Sequence, residues 1–526
     1  MTHASGRLSL FLSSGLIAIP VLAAIWFGLT GGDGQAWDHI LNNRLVPYTL
    51  TTLGALFLTG LLVLVIAIPL AWLISAYEFP GRAIFEWALI LPLAMPGYVM
   101  AYAWADLTGV SGPLQASLRE MTGLSARDYW FPDVFSLPGL AFVMAATLYP
   151  YIYLTARSAF TTQSLSTLEA ARSLGAHGAH LFLSIAMPAA RPAIVAGLAL
   201  ALMETAADYG AADFLGIQTL GVGLVRAWTS FGEPATAARL SIGLISIAFL
   251  FMILERTQRG QMGVQQTSSR WKTLARRPLA TAQGWSASLL CIIVLAIVFI
   301  TPMARLVWLA WDHGVDAERL AGPLASSMIL GVAGMLAAFV LALPIALASA
   351  NRRRLAWIGR LTAASGYAAP GVVLGLGGLF ILGALGLPLT GSYALFILVW
   401  IYASRFSTIG AEPMIAAQMR APRSLGEATR SLGVRGIWRL WRVDLPILLP
   451  GILAGGLILF VETLKELPAT LMLRPFGWDT LAVRAHAYAS DERLAEATLP
   501  SVLITLAGLV PVILLSRQMT ASGERS

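Results

Sequence analysis

The chain has 526 residues, 57% of them hydrophobic and only 12% charged, with a mean hydropathy of +0.74. A soluble protein carries about 25% charged residues, so this composition excludes an ordinary soluble domain and makes lipid the solvent for much of the surface. The single cysteine, Cys291, excludes an internal disulfide or a thiolate metal cluster, and the net charge of +8 fits basic cytoplasmic loops better than nucleic-acid binding.

A membrane helix needs roughly 20 mostly apolar residues. Residues 8–30 form the first such stretch; it is long for a signal segment, lacks a clear small-residue cleavage site, and reads as an uncleaved anchor. Further spans are expected near 48–76, 84–105, 137–157, 190–209 and 238–254. A basic stretch with Arg256, Arg259, Arg270, Lys272, Arg276 and Arg277 reads as a linker. The second half then offers spans near 285–311, 325–349, 361–385, 391–409, 447–467 and 497–516. The fold class expected is all-α and integral to the membrane, with about 12 transmembrane helices.

Charge asymmetry orients the spans. Arg352, Arg353, Arg354 and Arg360 follow one span, and Arg420, Arg423, Arg430, Arg435, Arg439 and Arg442 follow another. Acidic residues dominate the alternate segments, among them Asp106, Glu120, Asp128, Asp133, Asp312, Asp316 and Glu318. Both termini and the linker are therefore expected in the cytoplasm. The expected organisation is an anchor and first outer loop over 1–47, a first transmembrane domain over 48–255 and the linker over 256–284. An additional helix and loop over 285–324, a second domain over 325–516 and a tail over 517–526 follow.

The strongest internal signal is a repeat. Leu-Glu-Ala-Ala-Arg-Ser-Leu-Gly at 168–175 recurs as Gly-Glu-Ala-Thr-Arg-Ser-Leu-Gly at 426–433. The offset of 258 residues also relates Pro188 to Pro446, Pro192 to Pro450, and Glu204 to Glu462. Six spans per copy is an even number, so the copies share one orientation and are parallel repeats. Each segment reads as a helix, a break at Gly175 or Gly433, a short amphipathic stretch, and a proline opening the next span. The result is a cytoplasmic elbow beneath each half.

The glutamate, the glycine six residues later and the proline 19 residues later resemble the EAA loop of binding-protein-dependent ABC importer permeases. Both copies match, with Thr429 departing from alanine. The resemblance implies the type I importer permease fold in two fused transmembrane domains. It implies that Glu169, Ala170 and Gly175, with Glu427, Ala428 and Gly433, dock and couple two copies of a separate ATPase subunit. The only lysines, Lys272 and Lys465, follow Trp271 and Leu464, so no Gly-Lys pair of a P-loop exists in this chain. ATP and Mg are thus expected on the partner ATPase, with no cofactor held permanently here. A periplasmic or lipid-anchored binding protein is the other implied partner, and the bilayer is the bacterial inner membrane.

Residues 465–484 and 489–497 are similar to segments of fused iron(III) importer permeases. Related permeases carry thiamine, polyamines, sulfate or phosphonates, and these stay open as cargo. Glu204 and Asp208 lie four apart on one expected helix face, with Tyr209 next; Glu462 and Glu466 repeat the pair. Hard oxygen donors suit a ferric ion in a translocation path. The competing reading makes them helix-end charges, with Lys465 pairing Glu462 or Glu466. His177 and His180 lack a third ligand and read as surface residues, and Trp104, Tyr149 and Tyr151 read as interfacial belts or packing. A secondary transporter or channel leaves twin elbows unexplained, and a membrane enzyme lacks a clustered catalytic set.

Overall fold

A computed structural model describes residues 3–31, 35–162, 178–265, 276–314, 317–349, 354–420, 425, 429, 431–432 and 436–523. In chain order the first repeat comprises α1 (His3–Thr30), α2 (Gln35–Asn43), α3 (Leu45–Ala76), β1 (Tyr77–Glu78), α4 (Arg82–Ala88), α5 (Gly97–Thr108) and α6 (Pro113–Thr122). It continues with α7 (Leu137–Thr162), α8 (Gly178–Leu181), α9 (Met187–Ala207), α10 (Gly210–Phe214), α11 (Leu220–Thr229) and α12 (Pro234–Gln265). The second repeat follows β2 (Arg277–Pro278) with α13 (Thr281–Leu295), α14 (Thr301–His313), α15 (Ala317–Ser349), α16 (Arg354–Ala368), α17 (Gly371–Ala384) and α18 (Gly391–Arg420). It ends with α19 (Gly436–Arg439), α20 (Leu445–Lys465), α21 (Pro468–Leu473), α22 (Leu481–Ser490) and α23 (Leu494–Gly523).

Among the described residues, ten helices are long and apolar enough to cross a membrane, and two bent pairs raise the number to twelve. Their apolar faces point outward as well as inward. On α3, Leu50, Leu53, Phe57, Leu61 and Val65 recur every three or four residues and are all exposed, a stripe that only lipid stabilises. The bent pairs break at prolines. Arg82–Ala94 meets Gly97–Thr122 at 94°, and Ala356–Ala368 meets Gly371–Ala384 at 102°. Pro96 and Pro370 disfavour helical backbone at the preceding residue and sit extended themselves, with ψ of 150° and 143°.

Three π-helical turns share one cause. They cover Phe182–Ala186, Ala296–Ile300 and Leu440–Asp444, and each lies just ahead of a proline: Pro188, Pro302 and Pro446. A proline has no N–H for the carbonyl four residues back, so the ladder slips to a five-residue register around that orphan. The N–H groups of Met187, Thr301 and Leu445 accordingly bond the carbonyls of Phe182, Ala296 and Leu440.

Two compact units emerge, and each draws on both halves of the sequence. One unit contains residues 1–45, 220–249 and 314–511. Within it α1 packs on α15, α16, α17 and α18, and Trp400 donates its indole N–H to the Leu16 carbonyl at 3.0 Å. Gly377 lets α1 approach closely, since a Cβ there would overlap the Pro20 backbone. The other unit contains residues 46–219, 250–313 and 512–526. Within it α13 and α14 pack on α4 and α5, and Tyr149 and Tyr153 tie α7 to the carbonyls of Leu89 and Glu86 at 2.7 and 3.0 Å. Tyr149 is fully buried, so of its two expected roles the structure selects packing.

A charge ladder closes one end of this second unit. Glu86 on α4 accepts from Arg82 at 2.8 Å and from Arg157 on α7. Arg82 Nε lies 3.3 Å from Glu78, and Arg276 reaches Glu78 at 3.9 Å. The parallel pairing of β1 with β2 holds the end of the linker against this ladder. Partial burial, helped by the Arg82 charge, pulls the Arg276 guanidinium below its ordinary pKa, while Glu78 opposes the shift.

Candidate functional site

The elbow's six expected coupling residues, Glu169, Ala170, Gly175, Glu427, Ala428 and Gly433, lie outside the described residues. The bases of the two elbows are described, and they repeat element for element. Gly178–Leu181, Phe182–Ala186 and Met187–Ala207 recur as Gly436–Arg439, Leu440–Asp444 and Leu445–Lys465, all at the offset of 258. Both repeats open at a left-handed glycine, Gly178 with φ of 55° and Gly436 with φ of 63°. Among the described residues, no atom stands within 4 Å of a Cβ built on either glycine. Backbone handedness, and not crowding, therefore selects glycine here. Sequence reasoning singled out Gly175 and Gly433 and missed this second pair, though the same offset relates them.

The first elbow base is seated on aromatic rings. Leu181 and Ala76 are buried together with Trp72, Tyr77 and Ile185 against them. Trp72 meets Phe160 edge-on at 5.3 Å and Phe182 at 5.2 Å. This elbow base is thus packed through rings on the ends of α3 and α7. The second base differs: Trp438 and Trp441 are exposed, and Arg442 lies 5.0 Å over the Trp438 ring. His180 is exposed and contacts Ser184 at 3.2 Å, as a surface residue does.

At the far ends of α9 and α20 the acidic residues have structural work. The expected shared face of Glu204 and Asp208 meets a helix that stops at Ala207, and Asp208 is extended with ψ of 130°. Its Oδ1 accepts the N–H groups of Ala211 and Ala212, both at 3.1 Å, and so caps α10. Glu466 does the same one repeat later, where ψ is 118°. Its Oε1 accepts from Ala469 N at 3.0 Å, and its Oε2 accepts from Thr470 N at 3.0 Å and Thr470 Oγ1 at 2.7 Å. Tyr209 is buried behind Asp208, Glu204 is half-buried, and Lys465 pairs with Glu462 at 2.7 Å.

Each cap also faces a helix break. A Cβ on Gly97 would lie 3.5 Å from Asp208 Oδ2, and one on Gly371 would lie 2.6 Å from Glu466 Oε1. Each carboxylate therefore stands between two helix N-termini, that of α5 or α17 and that of α10 or α21. The positive ends of broken membrane helices are met by the chain's own anions. In one unit an arginine joins: Arg405 Nη1 lies 3.2 Å from Glu466 Oε1, and both side chains are buried. Tyr402 completes the cluster through Thr470 Oγ1 at 2.6 Å. Arg405 and the paired glycines escaped the sequence reading. The available signal was a lone arginine inside the 391–409 span. Among the described residues no three His, Cys, Asp or Glu side chains gather as metal ligands.

Comparison with known proteins adds the family. Residues 67–261 match the binding-protein-dependent transport system inner membrane component. An Fe(3+)-transport system permease protein of Haemophilus influenzae is 24% identical, covering 91% of this chain and 90% of its own length. A probable ABC transporter permease protein of Sinorhizobium fredii is 25% identical, covering 96% of this chain and 94% of its own. A sulfate transport system permease protein of Salmonella typhimurium is 27% identical over 42% of this chain and 79% of its own length.

Proposed function

Because this chain belongs to the binding-protein-dependent inner-membrane permeases and is a transport subunit rather than an enzyme, we propose that it forms the whole membrane pathway of an ATP-driven ferric-iron importer. The observation that carries the reading is the element-for-element repetition of elbow base, π-turn and span at one offset within a single chain. A permease that holds both elbows presents two equivalent levers to two ATPase copies. ATP and Mg are used there, and the cytoplasmic elbows transmit the motion. Glu169, Ala170, Gly175, Glu427, Ala428 and Gly433 are the coupling residues in this proposal, and both termini share the elbows' side.

Iron is favoured by two observations. One relative that matches nearly the full chain is a ferric permease, another of similar span has no cargo in its name, and the sulfate relative matches only 42% of this chain. The helix N-termini that would suit an oxyanion already face Asp208 and Glu466. Glu204, Asp208, Tyr209, Glu462 and Glu466 line the path in this reading, and selectivity comes from a periplasmic or lipid-anchored binding protein. The sulfate relative favours sulfate as the second reading of the cargo.

Co-purification from native membranes, followed by ATPase assays with candidate binding proteins, tests the proposal. Two ATPase subunits per chain, stimulated only by an iron-loaded binding protein, is the expected result. Stimulation by a sulfate-loaded protein instead would keep the importer and replace the cargo. Absence of any ATPase would overturn the importer reading.

A further inference from the structure

The helix α20 fixes two faces of the membrane. Its 21 residues span roughly 31 Å, about one hydrocarbon thickness. The second elbow base lies at its N-terminal end, and α21 follows its C-terminal end after Glu466. The turn over residues 474–480, between α21 and α22, therefore lies on the face opposite the elbow.

This turn carries an unusual side chain in an unusually fixed setting. Phe476 is fully exposed, at 102% of its reference area. The backbone beneath it is stapled at several points. Asp479 is paired with Arg474, and also with Arg484 at 3.4 Å. Trp478 N donates to the Pro475 carbonyl at 3.2 Å, and Arg474 N to the Thr470 carbonyl at 2.9 Å. Gly477 takes the left-handed conformation, with φ of 82°, that lets the chain reverse immediately after the ring. Thr480 caps α22, and Leu481 N donates to Ser327 Oγ at 2.8 Å.

The corresponding link of the other repeat, residues 215–219, is two residues shorter and holds no aromatic side chain. It reverses at Gly216, with φ of 72°, and places Ile217 and Gln218 at its tip. The aromatic tip is thus an addition to one repeat and not a product of the duplicated fold.

A large apolar ring on a stiff turn is the arrangement that anchors protein interfaces, because little entropy is lost when it docks. Lipid is a poor occupant for it. Arg474 and Asp479 flank the ring on the same turn, and Arg484 on the first turn of the next helix also pairs with Asp479, so the segment sits in water rather than hydrocarbon. On the face away from the elbows, the macromolecule that a binding-protein-dependent permease meets is its binding protein.

We infer that residues 474–480 form a docking tip for that binding protein, with Phe476 seated in an apolar recess of the partner and the Arg474–Asp479 pair at the rim. The inference rests on the importer reading above. Because one repeat alone has the tip, it also gives the partner a single docking point on a chain that holds two repeats.

The test uses the full chain in lipid nanodiscs with its ATPase, and fluorescently labelled iron-loaded binding proteins as candidates. Phe476→Ala is expected to weaken docking about tenfold or more. It should raise the binding-protein concentration for half-maximal ATPase stimulation equally, while ATPase activity without binding protein is unchanged. Phe476→Trp should restore docking to near the parent value. Docking by Phe476→Ala at parent affinity would overturn the tip while leaving the importer reading intact. A parent chain that docks no binding protein would overturn both. An environment-sensitive probe on Phe476→Cys should report water in empty nanodiscs and an apolar site only after binding protein is added. A probe already in an apolar site without it would overturn the inference in favour of lipid.

Discussion

Glu466 and Arg405 form a buried ion pair at 3.2 Å in a place where the other repeat has Asp208 and Thr147, the residues 258 positions earlier. Thr147 turns its hydroxyl back to its own helix, on the Val143 and Met144 carbonyls. The duplicated cap has thus gained a cation in one copy only. Breaking a buried pair by removing one partner costs about 3–5 kcal/mol. Glu466→Ala should therefore lower the thermal midpoint of the purified protein sharply. Arg405→Met combined with Glu466→Gln should recover most of the loss. Equal midpoints for Glu466→Ala and the double variant would show that the pair contributes nothing.

The two break glycines should respond unequally. At Gly97 a methyl meets the flexible Met144 side chain at 3.1 Å, which can move aside. At Gly371 it overlaps the Arg405 guanidinium and Glu466 together. Gly371→Ala should cost about 3 kcal/mol or more, and Gly97→Ala roughly 1 kcal/mol. Thermal unfolding in detergent reads the difference, and a reversed order would contradict the assigned contacts.

The π-turns predict an angular effect. Replacing Pro188 by Ala restores an N–H for the orphaned carbonyl and favours ordinary α-helical register. Returning the turn from the five-residue to the four-residue register rotates what precedes it by about 100°. Pro188→Ala with Pro446→Ala should leave the protein in the membrane and stop uptake, because both elbow bases turn relative to the spans that follow them. Unimpaired uptake by the double variant would mean that the π-turns do not set elbow direction.

The charge ladder separates its exposed from its buried end. Glu86→Ala strands Arg82 and Arg157 in a buried setting and should destabilise by about 3 kcal/mol. Arg276→Ala removes a half-exposed contact at 3.9 Å and should change stability by less than about 1 kcal/mol. A large effect of Arg276→Ala on the thermal midpoint would show that the β1–β2 clip, and not the buried pairs, holds this end.

The sequence by itself determined the span count and the repeat. Runs of apolar residues specify membrane helices because lipid leaves no alternative for the backbone, so twelve expected spans correspond to the ten long helices and two bent pairs. Pro96-Gly97 and Pro370-Gly371 lie inside the spans expected near 84–105 and 361–385, and the bends there came only with the structure, because a membrane helix can carry proline and glycine without breaking. The common offset of Glu204/Glu462 and Pro188/Pro446 was legible because it needs only the chain.

Only the tertiary structure decided partners. That α1 packs with α15 to α18, hundreds of residues away, depends on close approach at Gly377 and on the Trp400 bond to Leu16. That Asp208 and Glu466 cap short helices, rather than share a face with Glu204 and Glu462, depends on where the span ends, and spacing alone does not give that end. Arg405 was visible as a lone cation in an apolar run, but its carboxylate lies 61 residues away. Local sequence governs backbone shape, whereas long-range pairing is settled by which buried polar groups find one another when the helices pack.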